Sequence, residues 1–437
     1  MMGSRGVTAF AHRNYRLFFT GQAISLVGTW MQQVAQAWLV LEITHDPLWL
    51  GVVAAAQFIP VMIFGLFAGV LADTLPKRQT LIVVQTVMMF LALTLAILTA
   101  TGVVTVPMIV GLALLLGCAN AVDMPVRQSF APEMVGREDI GNAVALNSAM
   151  FNGARIVGPA VAGLTIGLIG VAAAFAVNAL SFLAVIIGLL AMRDSELRPS
   201  PRIDRPHSVH GVFAYLGEGF DYVRGTPLVL LAVLIVGLVS TFGMNFGVVI
   251  PTLTQETLGG DATAYGFLMA ASGVGSLLAA LWLAFGGSPR PSRMAWGAVV
   301  LGIGEVFLAI SRSYPLSMLL MVGVGFGAIA MAATANTTLQ LSSPDQLRGR
   351  VMSFYTTIFA GSTPIGGLLM GAIASSLGIE IAMAIGGALS LVVGAAAYLW
   401  IRRRALDRPI RPGNLPATAP GAARGPSGAL PGTARPN

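Results

Sequence analysis

Residues 127–163 read RQSFAPEMVGREDIGNAVALNSAMFNGARIVGPAVAG, and residues 339–371 read LQLSSPDQLRGRVMSFYTTIFAGSTPIGGLLMG. The second stretch is a counterpart of the first. Gly153, Gly158 and Gly163 match Gly361, Gly366 and Gly371 at a constant offset of 208, and Pro132 matches Pro344 with four extra residues in the earlier copy. Each copy starts polar and charged and then becomes an apolar, glycine-rich run. Two such copies in one chain imply two related halves. When runs of this kind cross lipid, the halves are related by an axis along the membrane normal.

Working outward, apolar runs of the same length recur along the whole chain. Of its 437 residues 56% are hydrophobic and only 10% are charged, whereas a soluble domain carries roughly 25% charged residues to cover its surface. A bilayer core of ~30 Å needs about 20 apolar residues per helical span. Lipid cannot satisfy free backbone groups, so spans are helices or closed barrels. The runs lack the period-2 alternation of barrel strands. The spans read as 17–41, 49–72, 79–100, 104–123, 141–166, 170–192, 228–250, 263–286, 294–311, 315–338, 350–374 and 379–401, an all-α membrane protein of twelve helices in two six-helix bundles.

The positive charge tests that count. Twenty-three of the 25 Lys and Arg residues fall in the termini or in alternate loops: Arg5, Arg13 and Arg16, then Lys77 and Arg78, Arg127 and Arg137, the arginines of 193–224, Arg290 and Arg293, Arg348 and Arg350, and those after 401. Arg312 lies in an opposite loop and Arg155 within a span. Basic loops stay on the cytoplasmic side, so both termini are expected in the cytoplasm of a bacterial inner membrane. The net charge of +7 therefore belongs to topology and predicts no nucleic-acid partner. Lys77 is the sole lysine and Ala and Gly abound, which suggests a GC-rich bacterial genome. The single cysteine, Cys118, excludes a disulfide framework. The first apolar stretch is full span length and no cleavable signal peptide is expected.

The organisation follows: a cytoplasmic N-terminus at 1–16, one bundle at 17–192, a cytoplasmic linker at 193–227, the second bundle at 228–401, and a disordered cytoplasmic tail at 402–437. Within the linker, Val212, Phe213, Leu216, Phe220 and Val223 fall at helical spacing, which predicts an amphipathic helix on the membrane surface.

GVLADTLPKR, between spans two and three, resembles the signature loop of the major facilitator superfamily. GARIVGPAVAG in span five resembles the glycine-proline motif of its antiporters. NYRLFFTGQAISLVGTWMQQVAQAWLV and DMPVRQSFAPEMV are similar to the enterobactin-exporter-like branch. The resemblance covers roughly residues 12–402. It implies a cytoplasmic gate at Gly69, Asp73, Lys77 and Arg78, which latches that side shut, and an antiporter-type motif at Gly153, Arg155, Gly158, Pro159 and Gly163. It also implies a cavity enclosed by spans one, four, seven and ten. Thr74 stands where the loop motif usually has Arg, and Pro76 where it has a later glycine. The second-half copy, GGSPRPSR, has no acid, and span four lacks the superfamily's usual arginine motif.

The residues support a cavity independently. Span one carries Gln22, Ser25, Thr29, Gln32 and Gln36 at helical spacing with Gln33 beside them, a stripe that lipid would waste. It is expected to line a water-filled cavity, with interhelical hydrogen bonding the alternative, as it is for the isolated asparagines. Asn120, Asn245, Asn336 and Gln340 are polar candidates on the other cavity spans, and Trp30, Met31 and Met244 offer apolar contact. Ser148, Asn152, Arg155 and Pro159 share one face of span five. A charge at the depth of Arg155 costs ~2.5–3.5 kcal/mol or more, so it faces protein or water: it binds an anionic substrate, or it pairs with carbonyls or an acid and ties helices together. Asp123 and Glu305 are candidates for proton coupling, with a protonated structural role the alternative for Glu305.

No GxxxxGK[ST] phosphate loop exists. The four histidines lie in loops or termini, so neither metal nor cofactor is expected, and no nucleophile–base constellation suggests an enzyme. The expected function is proton-driven export of small amphipathic molecules, drug-like or siderophore-like, by a monomer embedded in lipid. Proton-coupled uptake and a non-transporting membrane sensor or scaffold are the alternatives.

Overall fold

The computed structural model describes residues 5–198, 217, 219–286 and 289–409, with side chains described at all of these except 5, 6, 65–74 and 345. Helices α1 (Arg13–Thr44), α2 (Pro47–Thr74) and α3 (Lys77–Ala100) open the first half. Val106–Ile169 is one 64-residue run. Gly136, at φ 75°, breaks it into α4 (106–135) and α5 (137–169). Helix α6 (Val171–Leu190) completes the half. The second half holds α7 (Pro227–Thr257), α8 (Ala262–Phe285), α9 (Pro291–Ile310), α10 (Tyr314–Ser342), α11 (Asp345–Leu377) and α12 (Ile379–Arg403).

Ten helices among the described residues are long and apolar enough to cross a membrane. That number counts Val106–Ile169 once, although it crosses on each side of Gly136, and leaves out α1, whose glutamine stripe dilutes its apolarity. With those two, the passages among the described residues are twelve. Residues 124–140, expected as a loop, are instead helical on both sides of Gly136. The apolar run stops where the bilayer does, but nothing stops the helix there. Pro125 and Pro132 lie inside it, each removing one backbone hydrogen bond. Only Gly136 turns the chain, at a φ that glycine adopts without strain. Of the expected amphipathic linker helix, 217 and 219–225 are helical and Tyr222 Oη donates to Ser342 O at 2.7 Å; Val212, Phe213 and Leu216 lie outside the described residues, as do 410–437 of the tail.

Packing repeats between the halves. Helix α1 packs on α6, α2 on α4 and α3 on α6; α7 packs on α12, α8 on α10 and α9 on α12. The glycines make these approaches possible. A Cβ on Gly158 would stand 3.0 Å from Val27 O of α1, and one on Gly366 would stand 2.8 Å from the Asn245 amide of α7. Gly163 approaches Ala262 and Thr263 of α8 at 3.0 Å, and Gly371 approaches Pro47 O of α2 at 2.9 Å. Matched glycines therefore touch matched helices. The two halves meet along α5–α8 and α2–α11.

Outward faces are apolar. Val83, Val87, Phe90 and Ile97 form an exposed stripe along α3, opposite the buried Leu81, Met88, Ala92 and Leu95. Leu168, Ile169 and Phe285 are more than 70% exposed. A soluble protein rarely exposes such contiguous apolar surface; here it faces lipid.

Candidate functional site: two adjoining cavities

The tight approaches between halves lie toward the end away from the arginine loops. Beyond Gly163 and Gly371, Gly266 of α8 packs against Pro159 O and Gly163, Gly51 of α2 packs against Gly367, and Thr263 Oγ1 donates to Gly163 O at 3.2 Å. Trp38 of α1 stacks on Tyr265 of α8, with centroids 6.2 Å apart. Arg312, the one basic loop residue at this end, is held by Glu380 at 3.4 Å.

Two cavities lie toward the middle and the arginine-loop end. The larger, of 810 Å³, is walled by α1 to α6. The smaller, of 290 Å³, is walled by both halves. They share Gln33, Gln36, Gln57 and Phe58, so they adjoin across α1 and α2. The α1 stripe is brought into them as a unit: Gln22, Ser25, Thr29, Gln32, Gln33 and Gln36 all line the larger one, together with Asn120 of α4. Asn178 of α6 donates to Gln32 and lines the cavity too. Asn245 lines the smaller cavity, beside Trp30 and Met244, at the break between Pro227–Gly243 and Phe246–Thr252. Its Nδ2 donates to Thr241 O at 2.7 Å, satisfying a carbonyl the break would strand. Met31 is buried in the core. Asn336 and Gln340 line neither cavity; Gln340 Nε2 donates to Asn336 Oδ1 at 2.6 Å on α10.

Charge sits in two places on the cavity wall. Asp123, fully buried, forms an ion pair with Arg127 one turn along α4, and Gln85 Nε2 of α3 donates to its Oδ1 at 2.8 Å. Arg127 faces the larger cavity. Arg155 faces the smaller one, with its guanidinium 5.8 Å from the centroid of Trp30. Within the span-five motif Gly158, Pro159 and Gly163 form helix seams, while Gly153 meets nothing within 4 Å. Glu305 of α9 is buried away from both cavities, against Gly243 of α7, and its Oε2 has no hydrogen-bond partner.

At the arginine-loop end, the side chains of Gly69 and Asp73 lie outside the described residues. Lys77 pairs with Glu133 at 2.5 Å, and Arg78 pairs with Asp194 at 2.5 Å while donating to Leu189 O at 2.7 Å and Leu190 O at 3.0 Å. An arginine on the last carbonyls of a helix completes its C-terminus. Both residues thus tie α3 to its own half. His12–Asp139 at 2.9 Å and the mutual hydrogen bonds of Asn14 and Arg193 fasten the N-terminal segment to the same half. The sequence reading missed Gln85, Asn178 and Gln57. Each is a single amide within an apolar run; Gln85 and Asn178 meet a polar group across a helix pair, and Gln57 lines both cavities.

A family model described as transmembrane secretion effector matches residues 4–417. The chain belongs to this family of the major facilitator superfamily. Among relatives, a multidrug efflux pump Tap of Mycolicibacterium fortuitum is 28% identical, over 87% of this chain and 93% of its own length. The enterobactin exporter EntS of Escherichia coli O1:K1 is 24% identical, over 89% and 92%. The nucleoside transporter NupG has the same fold, with a TM-score of 0.72 at 13% identity over 89% of this chain and 99% of its own. The chain is a multi-pass bacterial membrane transporter. In it, the two bundles, the paired seams and the enclosed polar stripe have one shared purpose: a path through the bilayer.

Proposed function

We propose that this transporter exports small amphipathic molecules in exchange for protons, by alternating closure of the two ends of its cavity. The observation that carries the reading is the pairing of seams. Both α5–α8 and α2–α11 make their closest approaches through glycines, and both lie at one end of the cavity that the two halves share. Seams without interdigitated bulky side chains let two rigid halves rock. The arginine loops are taken as cytoplasmic, so the cavity faces the cytoplasm here, and export starts by loading from that side. The names of the efflux-pump and exporter relatives agree with that direction.

Asp123 is the residue proposed to carry the proton. It is a buried carboxylate with a cation and an amide as its partners, and the cation forms cavity wall. Because Arg127 holds Asp123 and also forms cavity wall, a ligand in the cavity and a proton on Asp123 act on one ion pair, and exchange requires that each exclude the other. Asp73 is proposed to latch the cytoplasmic end in the opposite state, with both termini on that side. The test is flux of a compound panel into inverted vesicles under an imposed pH gradient. Gradient-dependent uptake, abolished by Asp123→Asn, is expected. Flux that survives collapse of the gradient contradicts proton exchange.

A further inference from the structure

We infer that Arg155 is the anion-binding group of this cavity, and that the molecule carried is an organic anion: an amphipath with a carboxylate on an aromatic or aliphatic body. The inference rests on the export reading and narrows its substrate class.

Three observations lead to it. First, among the described residues neither cavity has an Asp or Glu in its wall; the charged side chains there are Arg127 and Arg155. A carboxylate is the group that most strongly favours a cation, and none is described in either wall. Second, the two arginines differ in what they hold. Arg127 is committed to Asp123, whereas Arg155 has no acid within ion-pair distance among the described residues and only the face of Trp30 beside it. An uncompensated cation at this depth is costly, and a ring face offsets only part of that cost. A bound carboxylate supplies the missing partner with charge-assisted hydrogen bonds.

Third, the surroundings suit the rest of such a molecule. Trp30, edged by Phe151 at 5.8 Å, stands with Phe58, Met244 and Met269 on the apolar side of the same cavity. The adjoining 810 Å³ provides the volume of a drug-sized site. A purely structural role for the guanidinium is the weaker account. The α5–α8 seam at this point is made by the Arg155 backbone, whose carbonyl lies 2.9 Å from a Cβ built on Gly273. The side chain lines the cavity, where it stands beside Trp30.

The experiment compares three probes with one aromatic body: 4-(1-pyrenyl)butyrate, 1-pyrenebutanol and the corresponding pyrenylbutyl-trimethylammonium. Binding to the purified full-length transporter is read by energy transfer from tryptophan to pyrene. The wild type is expected to bind the butyrate at least about tenfold more tightly than either of the others, the worth of a charge-assisted hydrogen bond. Arg155→Gln is expected to erase that preference while leaving pyrenebutanol affinity unchanged, and Arg155→Lys to keep part of it. A structural arginine would move all three affinities together. Equal affinities in the wild type, preference for the ammonium, or a preference that survives Arg155→Gln would each overturn the inference. A parallel vesicle assay separates the two readings. Gradient-driven flux of the alcohol or the ammonium without preference for the butyrate leaves export standing and removes only the anion site; flux of none of the three removes export.

Discussion

Asp123 and Arg127 show how much rests on single side chains in this fold. The carboxylate is wholly buried, and its cation forms part of the cavity wall. Removing one partner of such a pair leaves the other charge stranded, at a cost on the order of 3 kcal/mol. Asp123→Asn is therefore expected to lower the thermal unfolding midpoint in detergent, and Asp123→Asn with Arg127→Gln to recover part of it. A double variant less stable than the single one would show that the two residues do not form a unit. At this scale the sequence revealed the α1 stripe best. Five polar residues at helical spacing, with Gln33 beside them, mark a face that avoids lipid; all six line the larger cavity, and Gln32 also bonds across to Asn178. Isolated residues were less legible. Asn120 and Asn336 look alike in sequence, but only Asn120 lines a cavity, because a single position does not specify its angle around the helix.

The helices divide their glycines between seams and open space. Gly266 lies within 2.8 Å of Gly163 Cα when a Cβ is built on it, whereas Gly153 meets nothing. Gly266→Leu is expected to wedge α8 from α5 and cut flux by about tenfold or more, since overpacking costs ~1–3 kcal/mol and the closed end bears all of it. Gly153→Ala is expected to leave flux unchanged and to raise stability by up to about 1 kcal/mol through helix propensity. Loss of flux in Gly153→Ala would mean that the whole motif, rather than its seam residues, is required. Helix identity was readable from apolar length throughout. The extension of α4 and α5 across 124–140 was not, because hydropathy measures the bilayer and not the helix. One left-handed glycine, Gly136, decides where the chain turns.

Across the whole molecule, the repeat at an offset of 208 announced two halves, and the structure shows that the matched glycines contact matched helices. A second correspondence went unread: Gly51 and Gly266, 215 positions apart, occupy equivalent places in the two seams. Sequence also could not tell which end is shut. Both arrangements use the same residues, and their balance is a difference of a few kcal/mol between two packings. Alternating closure is accordingly the central claim. Its most direct measurement uses spin-label distances in a Cys118→Ala background, in lipid nanodiscs. One pair, at Gly141 and Gln346, spans the arginine-loop end; the other, at Thr101 and Leu377, spans the opposite end. On passing from mildly alkaline to mildly acidic pH, a second population is expected in each pair, with one distance shortening as the other lengthens. Two distances that stay fixed, or that change in the same sense, would contradict the account.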